Sequence, residues 1–531
     1  MSAWERIQTR AKQPGRDFFD MLVDPASIQT QLLKNILKKN ARSRTGKLRE
    51  FNTITSIKDF QQRNPIICYD DLQKDIGLIQ AGVQNILTQE PIVAFEETGG
   101  SSGGSKLIPF TATGLGAIQN AVIPWLHNLL THRPGIATGT AYWSISPATR
   151  SPRLESGGIP IGLSSDAAYF GPEFGQDILD TLAVPVEVGA IENFADWRRQ
   201  TLRYLLSRKD LTFISVWSPT FLLDLVKAIP EELDRIFDGV SANHVPSSSC
   251  HALPIFSKDR IREIQSAVQG NSIDTKTLWP MLDTISCWLD ANSTRYRDEL
   301  ASMFSGVYLQ GKGLLATEGV VSIPVCKADA EEGSVLAINS GFFEFVDEDD
   351  RVFLAHELKL SNTYRVVITT FSGLYRYDLG DQVIVSGFLE ATPLIKFCGR
   401  SGLVSDLCGE KLTEAFVLKQ LSRLPGSAML SPCISSKAGY VIFLDAKHFG
   451  LSSAKSVTEE VEQGLCSNPQ YAYATRIGQL DRLSYCRVDN LWEQYIGYQR
   501  SCGRLIGDVK PPVLSLDTAL FNALSKARAA A

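Results

Sequence analysis

The sequence predicts an α/β protein with two domains, a large N-terminal α/β domain and a smaller α+β C-terminal domain. The length of 531 residues exceeds what one hydrophobic core usually organises. Helical and strand-like patterns also alternate along most of the chain, as in α/β folds. Finally, a polar stretch with several glycines begins at Gly399, and the remaining chain is long enough for a small domain. We therefore expect domains at residues 1–398 and 399–531, joined by a hinge near 399–409.

The helix and strand patterns can be assigned in order along the N-terminal domain. In "ASIQTQLLKNILKKNARS", apolar residues recur at helical spacing, which predicts an amphipathic helix. The segment "AIQNAVIPWLHNLLTH" predicts a helix that Pro124 interrupts. The run "LTFISVWSP" is typical of a strand that Pro219 ends, and it lies between helical patterns near 195–208 and 220–228.

The second half of the chain has three longer patterns. Residues 275–303 are predicted to form a long helical region, and residues 305–388 are rich in strand-like segments. A further helix is expected to begin near Thr413, just after the hinge.

Composition excludes several classes of protein. The hydrophobic fraction of 44% and the charged fraction of 21% are those of a globular protein. The net charge is -5, from 53 basic and 58 acidic residues without a basic block, so no nucleic-acid partner is expected. We also expect no membrane association and a cytoplasmic location, because no apolar run could span a bilayer and the N-terminus has no signal-peptide pattern. A monomer is expected as well.

The cysteines and histidines do not form a metal-binding pattern. The 10 cysteines are scattered without a CxxC pair, and the 6 histidines contain no HExxH motif. Free thiols are expected rather than disulfides, and a zinc enzyme is not expected.

The stretch "FEETGGSSGGSKLIPFT" is the strongest candidate for a site. Gly99 to Ser105 consist only of glycine and serine, and Lys106 follows before an apolar run resumes. Glycines allow backbone N–H groups to surround an anion, hydroxyls add donors, and a lysine supplies a positive charge for phosphate. The spacing is neither that of a Walker A loop nor that of GxGxxG. On spacing alone, polyphosphate binding and a plain flexible loop remain equally good interpretations.

Four motifs in order resemble those of the adenylate-forming (ANL) superfamily. "TGGSSGGSK" is similar to its phosphate-binding loop, although Gly99 and Ser105 depart from the pattern. "LLATEG", "YRYDLGD" and "GRSGLVSDLCGEKLTE" resemble its Tyr-Gly-x-Thr-Glu, Tyr-x-x-Gly-Asp and hinge motifs. Within the superfamily the chain resembles the GH3 acyl-acid amido synthetases most, as in "LKNILKKNARSRTGKLREF", "ITTFSGLYRYDLGD" and "GFFEF". The chain looks like a bacterial-type member.

The resemblance implies a two-step reaction and a fold of the ANL type with a mobile C-terminal domain. A carboxylic acid would attack ATP to give acyl-AMP and pyrophosphate, and an amine, usually of an amino acid, would then take the acyl group. The resemblance assigns ATP phosphates to Thr98, Gly99, Gly100, Ser101, Ser102, Gly103, Lys106 and Thr317. It assigns the ribose to Asp381 with Arg400 nearby, and Mg²⁺ to Glu318.

The resemblance also implies catalytic lysines and leaves the acyl pocket poorly determined. Lys510 in "GDVKPPVL" would neutralise charge during adenylation, and Lys411 is a second candidate. Trp125 and Trp217 are candidates for the acyl pocket. Leu314 stands where the superfamily has an aromatic ring against adenine, and Tyr375 is one candidate to compensate.

Two other functions remain open from the sequence. An acyl-CoA ligase of the same fold would use CoA in place of the amine. A nucleotide-binding protein without catalysis would have no reason to keep Lys106, Glu318, Asp381 and Lys510 together.

Overall fold

The structure of the protein is a computed structural model. It describes residues 1–98, 106–143, 153–154, 158–162, 166–191, 193–237, 253–326, 333–400, 403–434, 438–504 and 509–528.

The helices are distributed along the whole described chain. Their bounds are α1 Ala3–Met21, α2 Pro25–Asn40, α3 Arg44–Leu48, α4 Ile57–Arg63, α5 Tyr69–Gln80, α6 Ala112–His132, α7 Pro172–Leu179, α8 Phe194–Ser207, α9 Pro219–Lys227, α10 Ile229–Phe237, α11 Lys258–Ala267, α12 Thr275–Leu278, α13 Arg297–Met303, α14 Glu414–Leu421, α15 Leu451–Leu465, α16 Pro469–Arg476, α17 Leu491–Ser501 and α18 Thr518–Lys526.

The strands form several sheets. Their bounds are β1 Ile92–Thr98, β2 Lys106–Thr111, β3 Thr140–Trp143, β4 Arg153–Leu154, β5 Pro160–Ile161, β6 Leu211–Ser215, β7 Val268–Gln269, β8 Ser272–Ile273, β9 Thr284–Ser286, β10 Tyr308–Gln310, β11 Leu315–Ala316, β12 Gly319–Val320, β13 Ser322–Pro324, β14 Ser334–Leu336, β15 Phe342–Val346, β16 Val352–Leu354, β17 Thr363–Thr369, β18 Tyr377–Leu389, β19 Thr392–Arg400, β20 Val404–Ser405, β21 Leu412–Thr413, β22 Ala428–Ile434, β23 Ala438–Asp445 and β24 Ser484–Val488.

The first two helices begin where the sequence provides capping groups. Ser2 Oγ accepts a hydrogen bond from the Glu5 backbone N–H at 3.2 Å, and the Ser2 N–H donates to Glu5 Oε2 at 2.6 Å. Asp24 caps α2 in the same way by accepting from the Ser27 N–H at 3.1 Å, and Pro25 occupies the first helical position. These groups satisfy backbone donors that a helix start leaves unpaired, so both starts are fixed locally.

A parallel sheet and a long antiparallel sheet form the body of the N-terminal domain. The parallel sheet has the order β10-β9-β6-β3, and helices α8 and α9 pack on it through Trp197 and Phe221 in one apolar core. The antiparallel sheet has the order β13-β14-β19-β18-β17-β15-β16. Its core also includes residues of α1 and α6, such as Phe18 and Leu126.

The C-terminal part has apolar cores of its own. Strands β22, β23 and β24 form a three-stranded sheet, with helices α14 to α18 around it. One core includes Val417, Ile442 and Leu465, and another includes Phe443 and Leu520. The fold is therefore mixed α/β with a two-domain layout, as the sequence predicts, while the boundary at residue 399 stays a prediction.

Helix α6 runs through Pro124 without interruption, which corrects the prediction of a break there. Proline has no N–H, so the Asn120 carbonyl loses its usual helical donor. The Asn339 side-chain amide donates to this carbonyl at 3.1 Å. A side chain from outside the helix thus replaces the missing bond, and this contact could not be inferred from local sequence.

The prediction of a continuous helical region at 275–303 is wrong. A short helix, α12, and a later one, α13, enclose the buried strand β9. The run around Ile285 is apolar and contains a β-branched pair, and it pairs with β6 on one side and β10 on the other. A short buried strand of this type has no alternation that would separate it from a helix.

All cysteines in the described residues are free thiols, as predicted, and Cys287, Cys326 and Cys486 among them are buried. Within the same part of the chain, every helix is too short or too polar to cross a lipid bilayer.

Candidate functional site

The glycine–serine loop connects the two strands of a hairpin. Strands β1 and β2 are antiparallel, and Thr98 pairs with Lys106 at the loop end of the hairpin. Gly99, Gly100, Ser101, Ser102 and Gly103, together with the side chain of Thr98, lie outside the described residues. The Lys106 ammonium lies 5.6 Å from the centre of the Tyr69 ring. The described end of the loop therefore presents a cation beside the start of α5.

Thr317 and Glu318 form the turn of a second hairpin. Ala316 pairs with Gly319 across β11 and β12, which leaves these two residues at the tip. A Cβ atom added at Gly319 would lie 2.8 Å from Ile368 Cδ1, so glycine there lets the hairpin approach the antiparallel sheet without displacing that side chain. This approach places Glu318 beside the first part of β18, which carries Tyr377 and Asp381.

Glu318 lies among charged groups from three separate segments. Burial raises the pKa of its carboxyl, and the neighbouring Asp381 raises it further, while Arg400 and Lys106 lower it. The Tyr377 hydroxyl is hydrogen-bonded to Glu318, and burial together with this carboxylate raises the pKa of the tyrosine. The structure therefore brings together four residues that the sequence predicted from separate motifs.

Asp381 and Arg400 are paired across adjacent strands. They face each other in the register of β18 and β19, and Arg400 Nε donates to Asp381 Oδ1 at 2.9 Å. Asp381 is buried, whereas the Arg400 side chain is 48% exposed. The Asp381 carboxylate raises the pKa of the Arg400 guanidinium. The other carboxylate oxygen of Asp381, Oδ2, is not part of this contact, and such an oxygen can accept hydrogen bonds from hydroxyl groups.

Tyr375 does not compensate for the absent ring at position 314. Its side chain is buried against Phe51, with ring centres 4.9 Å apart, and its hydroxyl donates to the Leu87 carbonyl at 2.7 Å. Leu314 is itself a buried member of the main core. Tyr375 and Leu314 are therefore both packed in the protein interior, which the local sequence motif does not reveal.

Lys510 from the C-terminal domain lies against the N-terminal domain. Its ammonium is 4.3 Å from the centre of the Trp288 ring and 5.7 Å from that of Phe397. Phe397 belongs to β19, the strand that carries Arg400. The exposed Lys510 thus lies at a contact between the domains, on the side where β19 ends.

Trp125 and Trp217 lie on either side of a lysine that the sequence analysis did not single out. The Lys312 ammonium is 5.5 Å from the Trp125 ring centre and 5.3 Å from the Trp217 ring centre. Trp217 also packs on Trp288, with ring centres 5.7 Å apart. Sequence reasoning missed Trp288 because the strand before it was predicted as part of a helix, and it missed Lys312 because only the fold brings the two tryptophan rings to this lysine. The sequence feature that could have identified Lys312 and Trp288 is their position, since each lies two residues after the last residue of a strand.

Lys411 is exposed in the turn between β20 and β21, and its φ of 46° is left-handed. Buried Glu410 beside it accepts hydrogen bonds from the Leu407 and Cys408 N–H groups at 2.8 and 2.7 Å. The contacts of the described residues do not bring Lys411 to Glu318 or Asp381. They place it in the hinge segment.

The fold is that of the adenylate-forming enzymes. A solved structure of 2-hydroxyisobutyryl-CoA ligase in the postadenylation state, in complex with 2-HIB-AMP, superposes with a TM-score of 0.50 at 12% identity. This match covers 99% of the present chain and 92% of the ligase.

The chain belongs to the GH3 family. The model of the GH3 family N-terminal domain matches residues 16–309, and that of the GH3 family central domain matches residues 334–400. Indole-3-acetic acid-amido synthetase GH3.4 of Arabidopsis thaliana is 24% identical over 80% of this chain and 75% of its own length. The solved structure of AtGH3.15 acyl acid amido synthetase in complex with 2,4-DB has a TM-score of 0.84 at 20% identity, covering 98% of this chain and 97% of that one.

Proposed function

We propose that this chain is an ATP-dependent acyl-acid amido synthetase. In the first step a carboxylate oxygen attacks the α-phosphorus of ATP and displaces pyrophosphate. In the second step an amine nitrogen attacks the acyl carbonyl, AMP leaves and the nitrogen loses a proton. The observation that supports this most directly is the convergence of Lys106, Glu318, Asp381 and Arg400 in a chain of the GH3 family.

The nucleotide would lie along the ends of the hairpins and of β18. Lys106 and the backbone from Thr98 to Gly103 would hold the β- and γ-phosphates, and Thr317 would bind the α-phosphate. The free acceptor capacity of Asp381 suits the two ribose hydroxyls, and Arg400 would fix the orientation of that carboxylate. These groups neutralise charge and hold the reactants in line, which is how adenylation is accelerated.

The residues at this site fit a magnesium ion bound together with nucleotide. In the described residues no cluster of three or more His, Cys, Asp and Glu side chains could enclose a metal. Mg²⁺ commonly takes one or two carboxylates and completes its shell with phosphate oxygens and water. Glu318, next to Asp381 and stabilised as an anion by Lys106 and Arg400, would supply that carboxylate. A bound Mg²⁺ would screen the negative charge of the triphosphate.

Lys510 would act during adenylation. Its ammonium lies beside Trp288 and Phe397, where it can reach a carboxylate that enters between the tryptophans and the nucleotide. A positive charge there stabilises the meeting of two anions. Lys411 would act indirectly through the hinge segment, because it is exposed in the turn between β20 and β21.

Trp125 and Trp217 would line the acyl pocket, and the second substrate would be an amine, most naturally of an amino acid. We further propose that the enzyme is a cytoplasmic monomer of bacterial type, with domains at 1–398 and 399–531 and no nucleic-acid or membrane partner.

The test is a screen of carboxylic acids for acid-dependent pyrophosphate release with ATP and Mg²⁺. Each active acid is then incubated with amino acids or with CoA, and the product mass is measured. An amide product supports the proposal, whereas a thioester product would assign the chain to the CoA ligases. Binding of ATP without pyrophosphate release from any acid would indicate a non-catalytic nucleotide-binding protein.

A further inference from the structure

Three neighbouring strands of the parallel sheet end side by side. Ser215 of β6 pairs with Ser286 of β9, which pairs with Gln310 of β10. The backbone pairing continues beyond the strands, since the Trp288 N–H donates to the Trp217 carbonyl at 2.8 Å. Paired positions share a face of a sheet, and the pattern repeats every second residue. Trp217, Trp288 and Lys312, each two positions beyond a paired residue, therefore extend the same face.

Lys312 is a buried cation held between rings. Its side chain is 8% exposed, and its ammonium donates to Ser215 Oγ at 2.6 Å. Trp125 and Trp217 lie within 5.5 and 5.3 Å, distances at which an aromatic face attracts a cation. Burying an ammonium is costly, so its position beside the carboxyl ends of parallel strands, where α/β folds bind ligands, calls for a functional reason.

Within the described part of the chain, two polar atoms beside this lysine have no hydrogen-bond partner. Ser286 is fully buried, and its Oγ has no hydrogen-bond partner among the residues that the structure describes. Trp143 pairs with Ser215 in the sheet and packs edge-on to Trp125, and its Nε1 also has no partner within those residues. Buried polar atoms are rarely left unsatisfied. An ammonium, an indole N–H and a hydroxyl together present donors to a ligand that accepts hydrogen bonds.

Lys510 lies on the outer side of the same aromatic group. It is exposed and contacts Trp288, which packs on Trp217, while Trp217 contacts the buried Lys312. The tryptophans therefore separate an outer lysine at the domain contact from an inner lysine at the sheet. If the outer lysine meets the carboxylate that reacts, as proposed above, the inner one would meet the opposite end of the acid.

We propose that Lys312 determines substrate specificity by binding an oxygen acceptor at the far end of a flat aromatic carboxylic acid. The acceptor is a hydroxyl, carbonyl or second carboxylate, and the tryptophans hold the ring. This inference rests on the proposed function and names its class of acid. An acid without the acceptor leaves the Ser286 hydroxyl and the Trp143 indole N–H without a partner among the described residues, and sites built from such groups discriminate strongly against it.

The test compares matched acids in wild type and in Lys312 variants. Terephthalate and 4-methylbenzoate differ only in the distal group, as do 4-hydroxyphenylacetate and phenylacetate. We expect the acceptor-bearing acid of at least one pair to have a kcat/KM for pyrophosphate release about tenfold or more above that of its partner. In Lys312→Met that ratio should fall to near one or invert, and in Lys312→Gln, which keeps a donor, it should fall only in part.

Lys359→Met, which removes an exposed surface lysine, is the control and should keep the wild-type ratio. If Lys312→Met slows both acids of a pair equally, Lys312 has a structural role and the inference is overturned. Equal use of both acids of each pair by wild type would also overturn it, while leaving the synthetase proposal intact. Absence of pyrophosphate release with every acid, despite ATP binding, would contradict the proposed function itself. Thermal unfolding shows whether Lys312→Met is folded. If it is not, the kcat/KM ratio of the matched acids in Lys312→Gln decides whether the inference holds.

Discussion

Asp378 and Asp381 are three residues apart in one strand, but they have different partners. Asp381 is buried and receives a hydrogen bond from Arg400, whereas Asp378 pairs with Arg365, with 3.0 Å between Arg365 Nε and Asp378 Oδ2. Burial raises the pKa of the Asp378 carboxyl. The motif alone names both aspartates, and only the cross-strand register shows which of them lies beside Arg400 and Glu318.

Asp381→Asn should weaken ATP binding, because a carboxylate that accepts two hydroxyls loses its charge. The cost should be roughly 1.5–3 kcal/mol, about one to two decades in affinity. Calorimetric titration with ATP measures it, and Asp378→Asn is the matched control that should keep the wild-type affinity. Unchanged ATP affinity in Asp381→Asn would remove the ribose assignment.

Tyr377→Phe should move the acidic limb of the pH profile. The Tyr377 hydroxyl is hydrogen-bonded to Glu318, and such a bond stabilises the ionised carboxylate. Without it the pKa of Glu318, which burial already raises, rises further. Glu318 then becomes protonated at a higher pH as the pH falls, so pyrophosphate release should be lost at a higher pH than in wild type.

The measurement is kcat/KM for pyrophosphate release against pH. Tyr375→Phe makes the same change two residues away in the core, so its acidic limb should coincide with that of wild type. A Tyr377→Phe profile that coincides with wild type would show that Glu318 does not control this limb.

At the scale of elements, a buried ion pair joins β15 to the residue just before β18. Arg376 Nε lies 2.9 Å from Glu344 Oε2, and both side chains are almost fully buried. The same guanidinium donates to the Asn64 carbonyl at 2.8 Å, and the Gln61 amide donates to Glu344 Oε1 at 2.8 Å. The pair therefore connects β15 to the start of β18 and to helix α4.

Arg376→Met should destabilise the fold by about 3–5 kcal/mol, because Glu344 is left as an unpaired buried charge. Thermal and urea unfolding measure this loss. The double variant Arg376→Met/Glu344→Leu should recover a large part of it. Arg351→Met removes a surface pair with Asp347 and should change stability by less than about 1 kcal/mol. A double variant no more stable than Arg376→Met would contradict the unpaired-charge explanation.

Sequence predicts the elements that local interactions define better than the elements that contacts between distant residues define. Helices α2 and α8 were predicted because apolar periodicity and caps are local. Strand β9 was not predicted, because the strand conformation of its three buried residues depends on pairing with segments that are distant in the chain. The motif residues around Glu318 were predicted one by one, but Lys312 was not, since its role depends on two rings that only the fold brings together.

At the scale of the whole molecule, several side chains join the C-terminal domain to the N-terminal one. Trp492 Nε1 donates to Asp224 Oδ2 at 2.7 Å, and the Arg500 guanidinium lies 4.8 Å from the Phe194 ring centre. The contact of Lys510 with Trp288 belongs to the same interface. These three contacts are polar or of the cation–π type, and Ile496 of α17 also packs against the apolar core that contains Trp197. We propose that this arrangement supplies Lys510 to the N-terminal site during adenylation and that the two domains separate afterwards.

Lys510→Ala should consequently affect the two steps differently. A lysine that offsets negative charge while the carboxylate attacks ATP stabilises the transition state of that step alone. We expect the variant to lose nearly all acid-dependent pyrophosphate release, yet to convert chemically supplied acyl-AMP and an amino acid to amide at close to the wild-type rate. Trp492→Phe, which loses the bond to Asp224 but keeps Lys510, should slow adenylation by only a few fold. Amide yield from preformed acyl-AMP is the measurement. If Lys510→Ala loses this activity as completely as pyrophosphate release, the lysine serves both steps, and the C-terminal domain need not move between them.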